Sequence, residues 1–291
     1  MTAARRIGFA TCAPWPEIAR GDRPVAAALE SQGFEVVAVP WNGVGEHAPP
    51  PLESLDLLVH RSDWDHHHHA ADFRAWCASV EQAGVPMQNS WALLDWGLDK
   101  RGLLDLAAHD LPIPRTTDVA SADQLADWMD RHALERVVVK PAWGASGHGV
   151  ELVEGSAVGE GFSRARQAAA GRVLLAQEFL SGVVSGEVST VFVAGEASHA
   201  FRKLPADGDF RVNSGHGGHS QAEAVDAQLA DLGGRVMGVL PDRPLYLRLD
   251  TVMSTAGPVI LEVEVVEPAL GYDLVPDAAP RLADAIAAVC G

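Results

Sequence analysis

Apolar and polar positions along the first ninety or so residues follow two alternating periods. Arg6–Ala10 is a short apolar run, and after Asp22, a candidate cap, Val25, Ala28 and Leu29 recur at helical spacing until Gly33 stops the turn. Phe34–Val39 is a β-branched strand and Leu55–His60 is another. Phe73, Trp76, Cys77 and Val80 then fall at i, i+3, i+4 and i+7 ahead of Gly84. Strands alternating with helices predict an α/β unit over residues 1–92, built on an open parallel sheet of Rossmann-like type. No G-x-G-x-x-G occurs there, so nothing in it points to a dinucleotide.

The pattern changes near Trp91. Leu98–His109 reads as one helix, which Leu111-Pro112-Ile113-Pro114 breaks. Ser121 and Gln124 make a capping box, with Leu125, Trp128 and Met129 as the buried face behind it. Val137–Lys140 is a strand that runs straight into a glycine-rich loop. From Val173 onward strands dominate: Leu174–Phe179, Val188–Val193, Ala197–Lys203, Tyr246–Asp250 and Val259–Val266, with Ala194-Gly195-Glu196 as a hairpin turn. Val225, Leu229, Leu232 and Val236 mark a helix among them. The expected division is a central lobe over 93–172 and a C-terminal lobe over 173–291, with no internal repeat.

Composition narrows the partners. The chain has 291 residues, and its 22 Lys+Arg against 39 Asp+Glu give a formal net charge of −17. Such a surface repels nucleic acid and anionic lipid, so any phosphate site must gather its cations locally. No apolar run is long enough to span a bilayer. Pro14 and Pro16 cut short the one stretch that imitates a signal peptide. Cys12, Cys77 and Cys290 are odd in number and lack metal spacing, and Cys77 lies on an apolar helix face. These features predict a cytoplasmic protein free of disulfides; a homodimer is compatible with them.

Four segments carry candidate chemistry. Lys140, at a strand end, precedes Pro141-Ala142-Trp143-Gly144-Ala145-Ser146-Gly147-His148-Gly149, so an ammonium sits beside exposed backbone N–H groups that suit nucleotide phosphates. The lysine precedes the glycines, so this is no Walker A loop, and alone it also suits a plain surface loop. Gln177-Glu178-Phe179-Leu180 offers a strand edge able to read adenine, with Glu187 across a short loop for ribose hydroxyls; a plain apolar strand with a solvated acid fits equally. Asp250 ends one strand, and Glu262 and Glu264 share one face of another. Carboxylates gathered there call for a cation such as Mg²⁺. Lastly, Lys203, Arg211, Asn213 and His216 lie in one glycine-rich segment ending at Gly218, as donors for a transferring phosphoryl group or as a hairpin tip.

Taken in order, Lys100 after Asp99, Lys140 with its loop, Gln177–Leu180, Glu187, Arg211-x-Asn213, Asp250 and Glu262-x-Glu264 resemble the ATP-grasp superfamily across nearly the whole chain. The glutathione synthetase-like branch is the most similar, also at Asn89 and at Pro112-x-Pro114-x-Thr116. The resemblance implies an ATP-grasp fold behind the N-terminal domain, with ATP between two α+β lobes. Lys100, Lys140, Gly144, Ser146 and Gly147 would serve the phosphates, the Glu178 carbonyl and Leu180 N–H the adenine, with Gln177 and Phe179 beside them, and Glu187 the ribose. Asp250, Glu262 and Glu264 would hold Mg²⁺, two ions in all, and Arg211, Lys203 and Asn213 would act in catalysis. The implied reaction phosphorylates a carboxylate and couples it to a nitrogen nucleophile. Glu264 departs from the family, which usually has Asn there.

The substrate is then a small amino-acid-like molecule, for which Arg61 at a strand end, Arg248 and His216 are candidate contacts. The overall build is also similar to that of cyclo-ligases that close O-ureido-D-serine to D-cycloserine; a two-substrate carboxylate–amine ligase is the alternative. A non-catalytic ATP-binding regulator would have lost the metal carboxylates or Arg211, and both are present. A transferase that stops at phosphorylation would look the same. The run His66–His69 reads as a solvated helix start rather than a metal site, because consecutive histidines point in different directions.

Overall fold

The computed structural model describes residues 4–145 and 147–291, whose strands form three sheets. In the first, β1 (Arg6–Thr11), β2 (Glu35–Pro40), β3 (Leu57–His60) and β4 (Met87–Gln88) lie in the order β2-β1-β3-β4 and pair in parallel throughout. The crossovers include α1 (Arg23–Ser31) and α2 (Ala70–Gln82), which bury Val25, Ala26 and Leu29, and Phe73, Cys77 and Val80. Asp22 does not cap α1. Its carboxylate turns away to Arg61 instead.

The continuous helix expected over Leu98–His109 is broken. The chain forms α3 (Trp91–Leu98) and α4 (Gly102–Ala108), and between them the Lys100 N–H leaves the helical ladder to donate to the Ala142 carbonyl at 2.8 Å. Propensity favoured the helix; the tertiary hydrogen bond overrides it.

The second sheet contains β5 (Thr116–Val119), β6 (Arg136–Pro141), β7 (Glu151–Glu154) and β8 (Leu174–Glu178) in the order β5-β8-β6-β7, all antiparallel. It packs on α5 (Ala122–Arg131) and α6 (Val158–Ala169) around Leu125, Trp128, Val137, Phe162 and Leu174. The Ser121 cap forms, the Gln124 N–H donating to Ser121 Oγ at 3.1 Å, but the Gln124 side chain accepts one residue earlier than a capping box requires, from the Ala120 N–H at 2.7 Å. The division expected between residues 172 and 173 cuts through this sheet, because β8 is one of its two inner strands. An apolar run does not disclose which sheet it will join.

The third sheet is antiparallel: β9 (Glu187–Val193), β10 (Glu196–Leu204), β11 (His219–Glu223), β12 (Tyr246–Ser254) and β13 (Gly257–Glu264), in the order β11-β10-β9-β12-β13, with α7 (Ala227–Met237) and α8 (Ala279–Cys290). Ala194 and Gly195 take φ of 52° and 92°, the two positive values that a two-residue primed hairpin turn requires. Phe192, Leu247, Leu249 and Val263 pack on one face with Leu93, Leu103 and Leu232. On the other face Val191, Val193, Phe201 and Tyr246 share a core with Ile7, Phe9 and Leu29 of the first domain and Leu282 and Ile286 of α8. Period-two alternation brings Glu187, Ser189, Arg248, Asp250, Glu262 and Glu264 to that second face, beyond its apolar end. No helix among the described residues is long and apolar enough to cross a membrane.

Candidate functional site

The acidic face is assembled by strand register. Asp250 stands opposite Glu262 across β12 and β13, Arg248 opposite Glu264, and Ser189 of β9 opposite Asp250. Carboxylate oxygens of Asp250, Glu262 and Glu264 come within 4.8 Å of one another, as the sequence led us to expect. An all-oxygen set of this kind suits a hard cation such as Mg²⁺.

Four cations balance this face. Lys100 Nζ lies 2.8 Å from Glu262 and 4.0 Å from Glu264, and Lys140 Nζ lies 3.5 Å from Glu262. Burial alone would raise the Glu262 pKa, but the two lysines outweigh it and hold the carboxyl well below its ordinary range. Glu264 is pushed up to about 7 by burial, against the pull of Lys100. Burial lowers Lys140 despite Glu262, whereas Glu262 and Glu264 overcome burial and raise Lys100. Lys203 is shared: it pairs with Glu187 and lies 3.0 Å from Asp250 Oδ2. Asp250 takes the larger share, because Arg248 also reaches it at 2.7 Å and Ser189 Oγ donates to it at 2.6 Å. Its carboxyl falls to about 2, while burial pushes Glu187 up to about 7. Glu187, expected to face ribose, is thus engaged inside the charged face. Lys203, expected to act in catalysis, and Arg248, expected to contact substrate, both lie on this face.

The loops around this face place the remaining candidates. A Cβ on Gly147, whose φ is 73°, would lie 2.9 Å from Asn213 Oδ1 and 3.5 Å from His216 Nε2, so the glycine-rich loop closes against the loop that follows β10. Gly144 lies at the root of the same loop, and Ser146 falls outside the described residues. Arg211 does not reach the carboxylates; Asp209 holds it at 2.8 Å within its own loop. Gln177 uses its amide on Thr116 Oγ at 3.2 Å, and the Glu178 side chain pairs with Arg115 at 3.1 Å, so both side chains brace β8. Phe179 and Leu180 join Phe210, Val212, Val252 and Leu261 in an apolar cluster beside the acidic face.

Two expectations about the first domain are corrected. Arg61, expected to contact substrate, is turned into the interior. It is fully buried, donating to Asp22 Oδ1 at 2.7 Å and to the Pro268 carbonyl at 3.0 Å, with its guanidinium 5.0 Å from the Tyr246 ring centre. Only the second half of the histidine run, His68 and His69, is exposed to solvent. His66 and His67 are buried, and His66 Nε2–H donates to Glu267 Oε1 at 2.7 Å while the Trp143 indole N–H donates to His66 Nδ1 at 3.1 Å. Neither partner is near His66 in sequence, so the run alone gave no sign of them. The signals that could have drawn attention are Glu267, three residues beyond Glu264, and the tryptophan at the loop's root.

The chain matches two family models: "D-cycloserine synthetase DcsG, N-terminal domain" over residues 7–89, and "Prokaryotic glutathione synthetase, ATP-grasp domain" over residues 105–273. It is 32% identical over 282 residues to the cycloserine biosynthesis protein DcsG of Streptomyces lavendulae, covering 91% of this chain and 92% of that one. It is 29% identical to a glutathione synthetase of Prochlorococcus marinus (strain MIT 9313) over 84% of this chain and 78% of that one. Among solved structures, D-cycloserine synthetase DcsG superimposes with a TM-score of 0.87 at 26% identity, covering 98% of this chain and 100% of that one. A D-alanine–D-alanine ligase from Bacillus anthracis shares the fold, with a TM-score of 0.68 at 13% identity over 99% of this chain and 97% of that one.

Proposed function

Because this chain belongs to the ATP-grasp ligases, enzymes that form carbon–nitrogen bonds, we propose that it uses ATP and Mg²⁺ to activate the carboxylate of a small amino acid as an acyl phosphate for attack by a nitrogen nucleophile. One observation carries the reading: three oxygen-only ligands within 4.8 Å of one another, faced by half-buried Lys100 and buried Lys140. Bound Mg²⁺ would neutralise phosphate charge and polarise the transferring group. Asp250, Glu262 and Glu264 would hold it. Lys100 and Lys140, which now neutralise Glu262, would exchange that carboxylate for nucleotide phosphates. The Glu178 carbonyl and Leu180 N–H would read adenine against the apolar cluster around Phe179, and Glu187 would turn from Lys203 to the ribose. Arg211 would release Asp209 to reach the transferring group, aided by Lys203 and Asn213, while Arg248 steadies the substrate.

Within this reading the favoured reaction is intramolecular, the closure of O-ureido-D-serine to D-cycloserine: the ureido nitrogen displaces phosphate from the acyl phosphate, and water removes the carbamoyl group as CO₂ and ammonia. The likeness to DcsG supports it, since it extends through the N-terminal domain, which the glutathione synthetase model does not reach. Attack by a tethered nitrogen needs no second amine and benefits from a high effective molarity. The test is ADP release with Mg-ATP across a panel of small amino acids including O-ureido-D-serine, each with and without added amine. ADP and a cyclised product from that one substrate alone is the expected result. Turnover only after a separate amine is added would replace cyclisation by two-substrate ligation, and an inert panel would remove the amino-acid reading.

A further inference from the structure

Glu267 is used by none of the steps above, yet it is fixed more firmly than an ordinary acid. It follows Glu264 by three residues and is 7% exposed. Its carbonyl accepts from Trp64 Nε1 at 3.1 Å, and the next carbonyl, that of Pro268, accepts from Arg61. The carboxylate accepts from His66 through Oε1 at 2.7 Å, and its other oxygen accepts from none of the described residues.

The charge on this group is only partly offset. The Trp143 indole donates to His66 Nδ1, which requires that nitrogen to be unprotonated. The Glu267 carboxylate pulls the other way, raising the His66 pKa against burial. While Trp143 is docked, the indole bond decides, and His66 is a neutral donor. Lys100 pulls on Glu267 from a distance, but its close contact is with Glu262. A buried anion with an incomplete counter-charge is costly, and an incoming cation would relieve it. Glu267 also lies outside the carboxylate trio that suits a metal.

We propose that Glu267, oriented by His66 and by Trp143 at the root of the glycine-rich loop, is the subsite for the substrate's α-ammonium group. This rests on the amino-acid reading of the site. Glu267 binds the ammonium through the oxygen that His66 leaves free; His66 is a positioning residue. The juxtaposition also joins all three sheets, since His66 follows β3, Trp143 follows β6 and Glu267 follows β13. The anionic subsite is therefore complete only when the phosphate loop is seated.

The test is a cycle of two proteins and two ligands, read by calorimetric titration in the presence of ADP and Mg²⁺ and by the KM for ADP release. The ligands are O-ureido-D-serine and the same molecule without its amino group. Glu267→Gln should weaken O-ureido-D-serine roughly ten- to hundredfold, the range of a charge-assisted hydrogen bond, and leave the deamino analogue and ATP unchanged. Glu267→Asp should recover part of the loss, and His66→Asn should shift only the ammonium-bearing ligand, by less. Equal effects of Glu267→Gln on both ligands would overturn the proposal, and so would no effect on either. If Glu267→Gln fails to fold by its thermal melt, the His66→Asn cycle decides alone. If wild type ignores O-ureido-D-serine, the cyclisation reading fails by itself, and the same cycle is run on whichever amino acid of the panel drives ADP release. An entirely inert panel would overturn both.

Discussion

One carboxylate, Glu262, lies against two ammonium groups, those of half-buried Lys100 and buried Lys140. Glu262→Gln therefore removes a ligand of the proposed Mg²⁺ site and at the same time leaves two lysines facing each other. Turnover should fall roughly a hundredfold or more, since the metal site loses a ligand rather than an outer partner. Adenine nucleotide binding should survive, because the strand edge at Glu178–Leu180 is untouched; an unchanged rate of ADP release would move the metal elsewhere. A second residue is marked by what it refuses. Burial, with His68 and His66 alongside, lowers the His67 imidazole to about 4 from an ordinary value of 6.5. Between those values the unfolded chain binds a proton that the native state rejects, so this contribution to stability is present above pH 6.5 and is lost as pH falls towards 4. Other groups titrate in the same range, so the informative quantity is the difference from His67→Gln. That difference, from urea unfolding at a series of pH values, should be constant at neutral pH and shrink on acidification through this window. A flat difference would mean that His67 is protonated as easily inside as outside.

At the scale of elements, the sequence disclosed whatever its periodicity controls. The first domain's strands and the stripes of α1 and α2 follow from local spacing, and alternation alone put Glu262 and Glu264 on one face. What stayed hidden is decided by partners far away in the chain. The break at Asp99–Arg101 exists because Ala142 accepts the Lys100 N–H, Arg61 is buried because Asp22 and Pro268 receive it, and His66 is buried because Glu267 and Trp143 do. Asn89, whose position sequence resemblance had marked without a role, is the same kind of tie. Its amide donates to the carbonyls of Tyr246 at 2.8 Å and Val265 at 2.7 Å, and its carbonyl accepts from the Leu245 N–H at 2.7 Å. One buried side chain thus satisfies the ends of β12 and β13 from the end of β4. Asn89→Ala leaves all three backbone groups without that partner in the interior, and should destabilise the protein by about 3–5 kcal/mol, more than a lone hydrogen bond contributes. Chemical denaturation reads this directly. A loss under about 1 kcal/mol would mean that water replaces the amide without penalty.

At the scale of the molecule, three sheets do not amount to three independent cores. The first and third sheets bury Ile7, Phe9, Leu29, Val191, Phe201, Tyr246 and Ile286 together, and Arg61 and Asn89 bind their edges. The second sheet closes its own core around Leu125, Trp128, Val137, Phe162 and Leu174. Its ties to the rest include the Lys100–Ala142 bond, the Trp143–His66 bond and Arg172 donating to the His67 carbonyl at 2.8 Å. Opening the second sheet exposes its own interior and breaks few other contacts, whereas separating the first from the third exposes a shared one. Local stability should divide accordingly. In native-state hydrogen exchange, amides of β1, β3, β9 and β12 should open together at the global unfolding free energy, while those of β6, β8 and α6 open as a separate unit at a lower one. ATP with Mg²⁺ should raise the second group by more than the first, because Lys140 and the glycine-rich loop travel with it and binding stabilises only the seated arrangement. If all three sheets exchange as one unit, the second is no separate lobe. If nucleotide protects the two groups equally, it does not bind by seating that lobe upon the other two.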